Sequence, residues 1–262
     1  MKNINTTFVT ECMKLRRSRI FWITILLFMF IPLMMGIMFF VALNPEIGAR
    51  LGMIGTKASM LRLGNADWES YFDLTNQAVA AIGLVGFGFV TSWVFGREYS
   101  DRTIKDILAL PVSRSAIVIS KFIVVILWCA LLAFILILTS ILIGMIIAVP
   151  GWSARAIYQS VLRFLGVSTL TLLITTPVAF FASYGRGYLL PMAFVILTLI
   201  LANFIGLVGL GPYFPWAIPG ILSAASPDEG MHLIPASYVI LIITSIAGLT
   251  GTLFWWRYAD HH

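Results

Sequence analysis

The stretch "FGREYSDRTIKDILALPVSRSAIVISK", Phe95 to Lys121, decides how this chain is read. It holds eight of the chain's 28 charged side chains: Arg97, Glu98, Asp101, Arg102, Lys105, Asp106, Arg114 and Lys121. Long apolar runs flank it on both sides. Across its 262 residues the chain is 60% hydrophobic and only 11% charged, with a mean hydropathy of +0.98. Soluble domains average about 25% charged residues, so the natural solvent of this chain is a lipid bilayer. Unbroken apolar runs of about 20 residues indicate spanning helices, whereas a barrel would show short alternating segments.

Six such runs are present, at about 20–43, 78–95, 122–149, 164–184, 188–209 and 236–256, and none contains Asp, Glu, Lys, Arg or His. A charge at mid-bilayer costs at least about 2.5–3.5 kcal/mol, so each run reads as a comfortable span. The expected fold is therefore all-α, a single transmembrane domain over residues 1–262 with no nucleotide-binding domain. With six spans both termini share a side. Twelve basic residues fall on that side and five on the other, which makes the termini cytoplasmic by the positive-inside bias. The charge of +6 is then an orientation signal. A nucleic-acid footprint would need a basic soluble domain, and none is expected.

The leader, residues 1–19, places Ile4, Phe8, Cys12 and Leu15 on one helical stripe, with Lys14, Arg16, Arg17 and Arg19 nearby. It reads as an interfacial helix on the inner leaflet, its stripe in the acyl boundary and its cations among headgroups. A plain basic flank to the first span is the simpler alternative. In the outer interval 44–77, "DWESYF" suits either an interfacial helical face or a loop with aromatic anchors. The second outer interval, 210–235, holds five of the eleven prolines. It is too apolar for a solvated loop and too broken for a span, so a short re-entrant or interfacial cap is expected there. Gly185-Arg186-Gly187 must join spans four and five in a tight hairpin. Cys12 and Cys129 have no pairing or metal-ligand spacing and read as apolar filler. The terminal His261-His262 pair carries no weight.

Several chemistries lack their residues. There is no GxxxxGK[ST], so the chain is not itself a P-loop ATPase, and HExxH and CxxC spacings are missing. No metal, cofactor or catalytic residue is expected. Proton-coupled carriers place ionisable groups inside the bundle, and the six runs lack them. Sodium coupling through hydroxyls stays open, with Thr171, Thr175 and Asn203 as candidate path-lining residues. The same residues suit adhesion between helices.

The opening segment reads as a short cytoplasmic helix, Ser100 to Leu110, capped by Ser100 or Asp101 and ended by Pro111. Ile104, Ile107 and Leu108 form an apolar stripe, Asp101 and Lys105 can pair four residues apart, and Ser113 caps the next helix. Arg114 and Lys121 are expected at headgroup depth. On residues alone, the stripe suits lipid and a partner's groove equally.

The same stretch resembles the signature of type-2 ABC export permeases. Glu98, Thr103, Leu108, Pro111, Ser113, Arg114 and Lys121 match it in order, and "ECMKLRRSRIFW", with Glu11 and Lys14, resembles that family's interfacial helix. Arg102 stands where many members have Gly. A similar "DRT" occurs in the subgroup containing bacitracin- and lantibiotic-resistance permeases. The resemblance implies a permease subunit working as a dimer with an identical or homologous permease. It also implies two copies of a separate cytoplasmic ATPase, which would hold ATP and magnesium. Glu98, Ser100, Asp101, Arg102, Thr103, Ile104, Lys105, Ile107, Leu108, Pro111 and Arg114 would form the ATPase-docking segment. The expected cargo is an amphiphile such as a peptide antibiotic or a lipid-linked compound. A secondary transporter or channel, and a non-transporting scaffold or immunity protein, are the competing readings.

Overall fold

The structure, a computed structural model, describes residues 2–44, 46, 67–108, 111–224 and 232–258. Among these residues the regular structure is all helical, with no strand. Helix α1, Lys2–Arg17, is separated by Ser18 from α2, Arg19–Leu43; the Ser18 hydroxyl accepts from the Ile20 N–H at 3.1 Å and caps α2. Then come α3, Trp68–Ser100, α4, Ile104–Leu108, and α5, Arg114–Ile146. They are followed by α6, Ala154–Tyr184, and α7, Leu189–Leu207. A single 3-10 turn, Gly211–Tyr213, leads into α8, Ile218–Ser223, and α9, Pro235–Tyr258, completes the chain. Six helices, α2, α3, α5, α6, α7 and α9, are long and apolar enough to cross a membrane. The chain is a multi-pass membrane protein.

Helices α3, α5 and α6 form the centre and bury most, while α2, α7 and α9 flank them with apolar faces left exposed. Lipid tails solvate Leu and Ile as well as a protein core does, so such faces carry no penalty in a bilayer. Phe87, Phe95, Trp128, Leu132, Phe164 and Trp256 are among the fully buried core side chains.

Two central helices are longer than their apolar runs. Helix α3 begins at Trp68, where the Asp67 carboxylate accepts from the Ser70 N–H at 3.0 Å. It passes through one π-helical turn, Val79–Gly83, before continuing to Ser100. Its first turns are the "DWESYF" stretch. Trp68, Tyr71 and Phe72 are buried in the core beside Phe39 and Trp152, so the stretch is the beginning of the span helix rather than a separate element. Glu69 and Asp73 obscured this in the sequence, yet Asp73 accepts from Arg163 of α6 at 3.1 Å. Helix α6 breaks after Leu173 and resumes at Thr176, with Pro177 unable to donate to the ladder. The freed Leu173 carbonyl accepts from Thr176 and from Ser245 of α9.

Segment 211–223 folds against α6 and α3, and Gly211, Pro212, Ile218 and Pro219 are buried. Protein thus covers this broken backbone. Residues 1, 45, 47–66, 109–110, 225–231 and 259–262 lie outside the described residues. So do the last two positions of the expected Ser100–Leu110 helix, most of the first outer interval, and His261-His262.

Candidate functional site

The chain leaves α3 through a Schellman turn. The Thr103 N–H donates to the Glu98 carbonyl at 2.9 Å and the Arg102 N–H to the Tyr99 carbonyl at 3.2 Å. That geometry puts Arg102 in the left-handed region, φ 58°, where glycine pays no Cβ penalty. Arg102 bears that penalty, and a glycine in its place would not. After the turn, α4 begins at Ile104, not at Ser100. Asp101 therefore lies off the helix, and it forms no ion pair with Lys105 among the described residues.

The faces of α4 are also reversed from expectation. Ile104 is buried and Ile107 half-buried against the chain's own core. The Leu108 side chain lies outside the described residues. Ser100, Asp101, Arg102, Thr103, Lys105 and Asp106 are exposed, as is Pro111. A partner meeting this segment meets a polar, mixed-charge face.

Directly behind the turn lies a buried ion cluster. Lys121 of α5, 0% exposed, donates to both Glu98 oxygens, at 2.7 Å to Oε1 and 2.6 Å to Oε2, and to the Val94 carbonyl at 2.7 Å. All three ammonium donors are satisfied. Glu11 of α1 accepts from Lys14 at 2.7 Å and from Arg97 at 3.1 Å, and lies 3.6 Å from Lys121. Lys14 also reaches Glu98 at 3.4 Å, and the Arg97 Nε lies 3.6 Å from the same carboxylate. The Arg97 guanidinium stacks 4.6 Å over Trp93. Burial raises the Glu11 pKa, but Lys121, Lys14 and Arg97 together outweigh it and hold the carboxyl below its ordinary value. Three cations and two carboxylates thus tie α1, α3 and α5 together, and Glu98 links the cluster to the turn by its own backbone.

Several expectations are corrected here. Lys121 does not anchor a helix base at headgroups; it is the centre of the cluster. Arg114 donates to the Trp256 and Arg257 carbonyls, at 3.3 and 3.2 Å, and so caps α9. Ser113 caps α5 as expected, its hydroxyl accepting from the Ala116 N–H at 3.2 Å. The α1 stripe of Phe8, Cys12 and Leu15 packs on the protein core, mainly against α5, and not into lipid. Val9 and Met13, on the opposite face, are exposed together with Arg16 and Arg17. Arg19, at the start of α2, is exposed too.

Thr171, Thr175 and Asn203 do not converge on a path. The two threonines are buried and donate to carbonyls of their own helix, Val167 at 2.8 Å and Leu172 at 2.7 Å. Asn203 stands exposed on α7. Sequence reasoning missed Lys121 as a buried group. Its signal was a lysine two turns inside a helix whose neighbours are Ile117, Val118, Ile119 and Phe122.

Six apolar helices, α1 packed on their flank, and a charged turn rooted in buried ion pairs define a multi-pass membrane protein with one built polar end. Residues 7–204 match the family described as ABC-2 family transporter protein. The chain belongs to that family. It is 24% identical over 196 residues to the bacitracin transport permease protein BCRB of Bacillus licheniformis, covering 74% of this chain and 93% of that protein.

Proposed function

We propose that this chain is the membrane-spanning half of an ATP-driven exporter that couples ATP hydrolysis on a separate ATPase to movement of an amphiphile. Both termini and α4 face the cytoplasm, in keeping with the twelve-to-five bias of basic residues. α1 lies at the inner membrane surface with Val9 and Met13 toward lipid. Segment 211–223 forms a short re-entrant cap at the outer end. The complex holds two ATPase subunits, carrying ATP and magnesium, and a second permease.

The buried ion cluster behind the α4 turn is the observation that carries this reading. The exposed face of Ser100 to Asp106 docks the ATPase, its mixed charges fixing register more than adding affinity. Displacement of the turn passes through the Glu98 backbone to a cluster that moves α1, α3 and α5 as one body. A proton-driven carrier fits less well, because both buried carboxylates are saturated by cations. The likeness to a bacitracin transport permease favours a peptide antibiotic or lipid-linked compound as cargo.

The test is affinity purification from native membranes. An ABC ATPase should copurify and gain ATP turnover from the permease, and Asp101→Arg/Asp106→Arg should abolish both. A chain that recovers no ATPase is not this kind of permease.

A further inference from the structure

At the end of the bundle opposite α4, a cavity of about 750 Å³ opens between α3, α6, α7, α8 and α9. It falls within the roughly 300–1,000 Å³ range of sites that enclose a single organic ligand. Its wall is divided. Apolar side chains including Leu199, Ala202 and Ile221 form most of it, and Gln77, Arg163, Asn203 and Tyr238 supply polar groups. Arg163 lies nine residues into α6, about 13 Å along the helix, and its side chain is 33% exposed. One of its nitrogens donates to Asp73. Asp73 is not part of the cavity wall, so the pair turns its cationic end inward with most of the guanidinium donors unspent among the described residues. The exposed Gln77 side chain likewise makes no hydrogen bond among them.

Two glycines, Gly206 and Gly220, stand on this wall with open space beside them. A Cβ on Gly206 or on Gly220 would meet no atom within 4 Å. A larger side chain at either of these wall positions therefore has room without displacing a described residue.

We infer that this cavity binds a single-tailed amphiphile, its acidic, acceptor-rich head on Arg163 and Gln77 and its tail along the α7–α8 wall. The guanidinium selects an oxyanion through charge-assisted hydrogen bonds, and the apolar wall supplies the rest of the contact. A lipid and a lipopeptide share this chemistry. In the permease reading, on which only its place in transport rests, the cavity is a release-side subsite for cargo.

The test uses the purified chain in phosphatidylcholine nanodiscs and radiolabelled dodecyl phosphate, counted against empty nanodiscs. Saturable binding is expected, at least tenfold tighter than dodecyl glucoside. Gly220→Leu should weaken it at least tenfold by filling the space. Asp73→Asn/Arg163→Gln, which removes the cation without stranding a carboxylate, should do the same, and Gly206→Leu gives an independent filling variant. Equal binding of the neutral head, no saturable binding, or binding indifferent to all three variants would overturn the proposal. Because no ATPase is present, loss of ATPase copurification would sink the permease reading and leave this site standing, and the reverse also holds.

Discussion

Lys121 shows most clearly how a single residue makes this site. An uncompensated buried charge costs several kcal/mol, so the ammonium persists only because Glu98 and the Val94 carbonyl take all its donors. Lys121→Met should destabilise the protein by about 3 kcal/mol, because it takes from the buried Glu98 its two shortest charge-assisted hydrogen bonds and leaves only the longer contacts to Lys14 and Arg97. Adding Glu98→Gln should recover part of that loss, read as a partial return of the thermal midpoint. Equal loss in single and double variants would show that the pair does not act as a unit. Glu11 gives a pH signature. Its carboxyl is held below the ordinary value of 4.5, so its stabilisation is complete above that pH and is lost as pH falls through the lower, folded value. The thermal midpoint should therefore drop on acidification below about 4.5 in the native protein, and the drop should be smaller in Glu11→Gln. Arg102, at φ 58°, predicts the opposite of a usual surface change. Arg102→Gly should hold or raise stability by up to about 1 kcal/mol, while Arg102→Val should lower it by at least as much.

At the scale of elements, the tightest seam joins the broken lower half of α6 to α9. Thr176 donates to the Ser245 carbonyl at 2.9 Å, and Trp256 Nε1 donates to Ser183 at 2.9 Å. A Cβ on Gly248 would overlap the backbone at Thr176 and Pro177. Gly248→Leu should therefore force the helices apart and cost several kcal/mol, of the order seen for severe overpacking. Cysteine cross-linking between α6 and α9 should fall with it. Much of this architecture was legible in the sequence. The six apolar runs marked the spans because a bilayer leaves a spanning helix little choice of composition, and Ser113 was read correctly as a cap from its position after Pro111. The sequence concealed pairings across helices. Asp73 and Arg163 fall outside the apolar runs, on the outer intervals, and are partners within the longer helices α3 and α6. Ile104 looked outward-facing because nothing in its spacing says which side of α4 the core lies on. Arg114 and Lys121 looked like headgroup anchors because their acceptors, on α9 and α3, are far away in sequence.

For the whole molecule, α1 and two of the three central helices, α3 and α5, are joined at one end by buried charge, while a ligand-sized cavity lies at the other. Under the proposed function this arrangement serves as a lever, a load on the exposed Ser100 to Asp106 face passing to a cluster that yields only by breaking buried ion pairs. The most direct measurement is export per ATP hydrolysed by the reconstituted complex, comparing the native chain with Glu98→Gln/Lys121→Met. The account predicts that the variant still binds its ATPase and that hydrolysis continues, while export per ATP falls at least tenfold. Export at the native ratio from that variant would contradict it.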